Sequence, residues 1–572
     1  MAAMQDELRE IARQFLGRPD AACFIGHELA PAAGNAPATR PVVLRDPEDA
    51  ERIVCGEHCH ALLAAYLPRH RATGGLVGIA ARGCEARALR ELVRARQVDR
   101  ASLFVVGLGC AGLLGPDGAV LPRCQGCRYP EGFAYDLTLG EMRGPDLPAP
   151  AATALAPAER RSFWEAELAK CIRCEACRKI CYACYCPQCF FESTRPRWIS
   201  KRGDLGEKLA PRSSEPRPAR LPGGAFLLRG RRAHERRSAA RELRSCRPRS
   251  GQGGGIPMSG PRYLGGARLR SALDLLAQER EVIVPLGGGA AVPPRLGPLP
   301  VGGQIALPAR KPLLPLKMLF LPECEDLFRF EGSDIAPPHA LARERVVVGA
   351  LACDIAALDL LDRVLASEPA DEAYCARRSR TSIVALACTG EGPECFCAAL
   401  GLDPLRPSGA DALLVPVGGG YLLEALTVKG EPAMRLLASL LRRPRPAELQ
   451  AAARLRSSSR RAPALAEPPG GFAGAWSSAL FAQLAERCLA CGICTVTCPT
   501  CHCFDVQDER RGRGGARLRA WDSCMFADFT RMASGENPRA ALSARLRQRF
   551  LHKLCYFAER HGAVACVGCG RC

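Results

Sequence analysis

No stretch of this 572-residue sequence approaches the roughly 18 consecutive apolar residues that mark a membrane-spanning helix, so direct membrane insertion is not expected. The opening residues, MAAMQDELREIARQFLG, place acids within an amphipathic pattern and lack the apolar core of a secretory signal. A persuasive nucleotide loop is also missing. Gly107-Leu108-Gly109-Cys110-Ala111-Gly112 follows a strand-like run and matches GxGxxG. No helix of normal length fits before Gly115-Pro116, and Glu131, spaced like a ribose-binding acid, stands just past a Cys-rich loop. A flavin- or NAD-binding catalytic subunit is therefore the rival reading. Nor does charge favour a nucleic-acid partner. The net charge is +20, but residues 201–250 alone hold 15 Lys/Arg against 5 Asp/Glu, leaving the rest only mildly basic.

Cysteine, by contrast, is in excess, with 32 residues in a chain of otherwise ordinary globular composition. A chain of this length exceeds one core, and about two to four domains are expected. The run from Cys488 to Cys503, CLACGICTVTCPTCHC, has the spacing C-x2-C-x2-C-x3-C-P that wraps a cubane iron–sulfur cluster. Cys488, Cys491 and Cys494 surround one cubane, and Cys498 before Pro499 points at a second. A zinc site would more naturally use two CxxC pairs some 15–20 residues apart, the spacing a zinc-binding nucleic-acid-associated protein would need. Cys171, Cys174, Cys177, Cys181, Cys184 and Cys186 repeat the later six cysteines gap for gap, with Tyr182 in place of Pro499 and Cys189 added. Such identity indicates duplication. Clusters require reduced thiolates rather than disulfides, so a reducing compartment, the cytoplasm of an anaerobe, is expected.

The regions preceding these runs also repeat. Met4–Phe15 and Asp49–Tyr66 read as helices, the latter around the CGEHCH box of Cys55 and Cys59. A strand over 75–80 leads into Arg82-Gly83-Cys84-Glu85, a helix over 86–96, a strand over 102–107, then Cys110, Cys124 and Cys127. Later, a strand over 345–349 leads into Cys353-Asp354, a helix over 355–366, and a strand over 381–387 ending on Cys388, with Cys395 and Cys397 beyond. Thiols at the ends of adjacent strands converge in the crevice where such sheets carry sites. Cys110, Cys124 and Cys127 with Cys84 or Cys59, and Cys353, Cys388, Cys395 and Cys397, are thus candidate ligand sets, against the alternative of buried small hydrophobes.

The expected fold is multidomain and internally duplicated, with α/β modules alternating with ferredoxin-like [4Fe-4S] modules. The divisions fall at 1–158, 159–199, 200–258, 259–475 and 476–572. Residues 200–258, rich in Arg, Pro, Gly and Ser, read either as a basic linker or as a frameshifted segment that has lost a cluster motif. The last module adds Cys566, Cys569 and Cys572, and the sequence stops on that third cysteine, which suggests a truncated motif. By crossover, Cys498 would serve these three, leaving the Cys488 set short of one thiolate.

The segments KPLLPLKMLFLPECEDLFRFEG (311–332), CDIAALDLLDRV, CTGEGPECFC, CTVTCPTCHCFDVQDE, WDSCMF and RQRFLHK resemble the sulfhydrogenase beta and anaerobic sulfite reductase A subunits over about 260–572. RGCEARAL, CQGC, YDLTLGE and CIRCEACRKICYACYCPQCF are similar to iron–sulfur portions of F420-hydrogenase and formate dehydrogenase beta subunits over about 75–195. The resemblance implies an iron–sulfur electron-transfer subunit carrying two or more [4Fe-4S] clusters. Its partners would be flavoprotein, hydrogenase or dehydrogenase subunits on one side and a heterodisulfide-reductase-like or sulfur-reducing acceptor on the other.

Overall fold

The computed structural model describes residues 2–30, 38–70, 74–144 and 260–572 with short breaks, and scattered residues between 155 and 182. The 200–258 segment, with its two readings, lies outside the described residues.

The N-terminal sheet contains β1 (Ala21–Leu29), β2 (Thr39–Leu44), β3 (Ile53–Val54), β4 (Leu76–Ala81), β5 (Leu103–Leu108) and β6 (Leu137–Leu139), ordered β2-β1-β4-β5-β6 with β3 on β1. β1, β4, β5 and β6 run parallel. Covered on both faces, β4 and β5 are nearly continuous apolar runs, LVGIAA and LFVVGL. Leu8, Ala12 and Phe15, spaced along the helix Ala2–Leu16, and Ala88, Leu89 and Leu92 of the helix Gly83–Arg94 bury their apolar stripes in this core. Gly78 in β4 leaves room for the Phe24 and Phe15 rings, which a Cβ there would overlap.

The helix expected over 49–66 does not form. A 3-10 turn at Pro47–Arg52 leads into β3, and after a loop a second 3-10 turn covers Leu63–Tyr66. The cause is tertiary: the Glu85 carboxylate accepts the backbone N–H groups of Leu63 (2.8 Å) and Ala64 (2.9 Å). β3 meanwhile pairs with β1 through His27 and Val54. The other elements read from the sequence agree with the structure to within a few residues at their ends, including strands β4 and β5 and their connecting helix.

Residues 260–572 supply β7 (Arg262–Gly265), β8 (Glu281–Leu286), β9 (Arg295–Pro298), β10 (Cys324–Glu331), β11 (Asp334–Ala336) and β12 (Arg345–Ala350). They continue with β13 (Thr381–Leu386), β14 (Ala412–Val417), β15 (Gly420–Ala425), β16 (Phe504–Arg511) and β17 (Gly514–Trp521). Seven strands form one sheet, β7-β15-β14-β13-β12-β8-β9, whose central members β8, β12, β13 and β14 are parallel. Two hydrophobic clusters pack against it, and the helix Ala352–Leu365 joins β12 toward β13.

The remaining four strands form the sheet β11-β10-β17-β16, which stitches the C-terminal cysteine-rich region onto the seven-stranded module. β10 pairs with β17 from Cys324 opposite Ala520 to Glu331 opposite Gly514. Behind this junction, buried Arg519 donates to Glu325 and to Asp371, and Arg377 donates to Glu325 at 2.6 Å. Among the described residues no helix is long and apolar enough to cross a membrane.

Candidate functional site

The helix Leu480–Arg487 delivers the chain into the loop that bears Cys488, Cys491 and Cys494. Tight winding needs left-handed backbone at Ala490 (φ 52°) and Gly492 (φ 74°). At Gly492 a side chain would also strike the Phe526 ring. The Cys488 sulfur accepts the Ala490 N–H at 3.4 Å, and the Cys494 thiol lies within electrostatic reach of Cys488, Cys491 and Cys572. This is one thiol set.

The second set arises because the last ten residues fold back over the loop. Thr500 Oγ1 donates to the Ala565 carbonyl at 2.8 Å, and Thr497 Oγ1 donates to the Arg571 carbonyl at 3.3 Å. Lys553 Nζ donates to both Thr500 Oγ1 (2.7 Å) and the Ala565 carbonyl (3.0 Å), locking the two strands of loop together. Buried Cys498 thereby comes within reach of Cys566 and Cys569, while exposed Cys572 borders both Cys494 and Cys566.

Cations surround the thiols. The hydrogen bond from Cys501 holds Cys498 well below the usual thiol range; burial opposes this, and Lys553, Arg549 and Lys317 reinforce it. Arg549 donates to the Cys494 carbonyl at 2.8 Å and to the Cys501 sulfur at 3.3 Å. Lys317, fully enclosed, donates to the Cys501 carbonyl at 2.7 Å and stacks on Trp521 at 4.2 Å. Burial raises Cys494 and Cys569 to about 11, so without iron these thiols hold their protons. Cys503 is pushed down to about 7, first by a hydrogen bond from Cys524. Neither Cys524 nor the three cations was singled out by spacing; they lie in the segments WDSCMF, KPLLPLKMLFLPECEDLFRFEG and RQRFLHK, which carry the resemblance.

Among the described residues no three His, Cys, Asp or Glu side chains are close enough to hold a single metal ion. A lone zinc draws its thiolates to about 2.3 Å, whereas a cubane keeps its ligands at the corners of a larger volume. Two sets of thiols, with Cys498 and Cys569 buried and cations around them, have the donor chemistry of anionic iron–sulfur clusters.

Of the earlier cysteine run, Cys171, Cys174, Cys184, Cys186 and Cys189 lie outside the described residues. Cys177 is exposed, and Cys181 donates its N–H to the Cys177 carbonyl at 3.0 Å at the end of a short helix, Ala176–Ile180. The segment 109–115 carries no helix, so the GxGxxG match has no helix N-terminus to offer a phosphate.

Cys353 begins the helix after β12 and packs with Leu351, Phe557, Val567 and Cys569, with Cys388 alongside. Phe396 N–H donates to the Gly568 carbonyl at 2.9 Å, and Lys311 Nζ bridges the Cys395 sulfur (3.5 Å) and the Cys569 carbonyl. The structure therefore brings the Cys353, Cys388, Cys395 and Cys397 region against the C-terminal triplet. Asp354 fastens the junction, accepting two bonds from Arg571 at 2.8 and 2.7 Å with both side chains buried. The N-terminal module docks on the other side of the loop: Tyr66 Oη donates to the Arg487 carbonyl at 3.4 Å, and Arg69 to that of Cys488.

Residues 487–572 match the 4Fe-4S dicluster domain family. The chain is also similar to the sulfhydrogenase 2 subunit beta of Pyrococcus furiosus, with 30% identity over 274 residues that span 47% of this chain and 80% of that protein. Together with the thiol geometry, these matches make the C-terminal region an iron–sulfur region.

Proposed function

This chain belongs to the family of sulfhydrogenase beta subunits and has an iron–sulfur electron-transfer role, and from that premise we propose that it relays electrons within a larger oxidoreductase complex. The donor side is a flavin/NAD(P)H-, hydrogenase- or formate dehydrogenase-type subunit. The acceptor is a heterodisulfide-reductase-like or sulfur-reducing partner, in a reducing cytoplasm. The ligands in this reading are Cys488, Cys491 and Cys494 for one cluster and Cys498, Cys566, Cys569 and Cys572 for a second. Cys171, Cys174, Cys177 and Cys181 belong to a further module duplicated from the last. The division into alternating modules at 158, 199, 258 and 475 is part of the same reading.

One observation carries it: Cys498 lies within reach of Cys566 and Cys569, while Cys494 lies within reach of Cys488 and Cys491. Bound clusters supply one-electron transfer at potentials tuned by charge, hydrogen bonding and exposure. The chain's own contribution is to hold the thiols, exclude water and place charge. Lys317, Lys553 and Arg549, all largely enclosed, offset negative charge at the thiol sets and so favour the reduced form.

Anaerobic purification, iron and acid-labile sulfide counts, and EPR test the reading. Cys491→Ala and Cys174→Ala should each remove one cubane's signal and iron while leaving the others. An unchanged iron count in both variants refutes the ligand assignment, and zinc without sulfide refutes the relay.

A further inference from the structure

The N-terminal module holds a second kind of thiol assembly, separate from the dicluster region. β4 and β5 are parallel neighbours, with Ala81 beside Gly107, so their C-terminal ends bring Arg82-Gly83-Cys84 next to Cys110. The Cys59 loop is tied across this end by a bond from Leu114 N–H to the Glu57 carbonyl at 3.0 Å. Cys59, Cys84 and Cys110 all lie within electrostatic reach of the Arg82 guanidinium, and Cys84 is within reach of Cys110 and Cys127. Arg87 turns both terminal nitrogens to the Cys127 sulfur at 3.4 Å. The Tyr129 ring covers the start of the helix at Gly83, its hydroxyl donating to the Leu108 carbonyl at 2.5 Å. The Cys124 sulfur accepts the Leu113 N–H at 3.4 Å.

Arg82 is the anomaly. It is 6% exposed, and among the described residues its Nη1 has no hydrogen-bond partner. Its Nη2 donates to the Ala61 carbonyl, at 3.4 Å. The nearest carboxylate, Glu85, is 3.9 Å away and already accepts the Leu63 and Ala64 N–H groups. A buried guanidinium with an unmet donor is strongly unfavourable unless something anionic with acceptor atoms completes it. Besides Glu85 and the ring of His27, the groups facing it are thiols.

We propose that Cys59, Cys84, Cys110 and Cys127 hold a [4Fe-4S] cluster, with Arg82 and Arg87 donating hydrogen bonds to its sulfur atoms. A thiolate-ligated cubane is anionic in both redox states and presents sulfide acceptors, which is the chemistry Arg82 lacks. Loading from a preformed cubane is a ligand exchange. Four bonds from iron to small-molecule thiolates break, four to these cysteines form, and each cysteine proton leaves on a displaced thiolate, with no electron gained or lost. A few residues beyond Cys59, Tyr66 and Arg69 bond the backbone of Arg487 and Cys488. The N-terminal module is then an electron-carrying station attached to the Cys488 loop.

The test uses the full chain loaded anaerobically with a preformed small-molecule thiolate cubane. Cys84→Ser with Cys110→Ser should lose one cubane's iron and sulfide while the signals sensitive to Cys491→Ala persist. Retention of all iron and sulfide overturns the assignment, and so does zinc bound here without sulfide. Alkylation mapped by mass spectrometry needs no variant: these four thiols should be protected until iron is chelated. Equal labelling before and after chelation also overturns it. Arg82→Gln should keep the iron but shift one midpoint potential downward; a full set of unshifted potentials removes Arg82 from the site. A chain that binds no iron anywhere would sink the relay reading as well, whereas loss of this site alone leaves that reading intact.

Discussion

Two sheet ends in this molecule are built alike and put to different uses. In each, a parallel strand runs into a cysteine followed by an acid in the first turn of a helix, and each acid is buried, Glu85 at 0% and Asp354 at 3% exposure. Glu85 is spent locally, gathering the Leu63 and Ala64 N–H groups so that the Cys59 loop closes over its own strand ends. Asp354 is spent at long range, on a paired contact with Arg571 of the C-terminal triplet. An acid at a helix N-terminus is ordinary; what it accepts from decides whether the module encloses its thiols or docks another module's.

The largest effect should come from breaking the docking acid. Asp354→Ala strands the buried Arg571 guanidinium, and such losses cost about 3–5 kcal/mol. We expect a lower thermal midpoint and loss of the cluster associated with Cys566 and Cys569, read by unfolding and by iron content. Replacing both partners, Asp354→Leu with Arg571→Met, should cost less than either single change, because no charge is left buried alone.

Glu85→Ala leaves two buried N–H donors without acceptors, for about 2–6 kcal/mol at roughly 1–3 each. Its effect should stay in the N-terminal module: alkylation of Cys59 and Cys84 speeds up while the C-terminal EPR signals hold. If those signals vanish instead, the two sheet ends are not independent.

A pH series separates the modules further. Burial pushes His27 down to about 3, with Arg82 adding repulsion. The unfolded chain therefore binds a proton that the folded one refuses, and stability falls as pH drops from about 6.5 toward 3. Lowering the pH from 6.5 to 5 should cost about 2 kcal/mol. His27→Gln should flatten that dependence in hydrogen exchange of β1 amides, with no change in the exchange of β12.

The mildest probe is Thr500→Val, which removes a hydroxyl that joins Lys553 to the Ala565 carbonyl. A cost of about 1 kcal/mol is expected, with iron retained and faster exchange confined to the last ten residues. Equal exchange at both sheet ends would show that this clasp does not act locally.

Much of the architecture was readable before the structure. The spacing of Cys488, Cys491, Cys494 and Cys498 constrains a single turn of backbone, and the apolar runs at β4, β5, β12 and β13 announce buried parallel strands through local pattern alone. The pairing of Cys-acid turns with strand ends followed from the same local signals. Where the chain's donors go was not readable. The apolar spacing around Cys55 and Cys59 suggested a helix, but Glu85 claims two of its N–H groups and turns the segment into loop. Nothing near Arg571 marks Asp354 as its partner, and nothing near Cys488 announces Tyr66 and Arg69. The sequence by itself determined which thiols belong to one turn, because a ligand motif is a constraint on neighbouring residues. Only the tertiary structure decided which turns face each other and which buried cations face thiols, because those contacts depend on the geometry of packed sheets, to which distant residues contribute together.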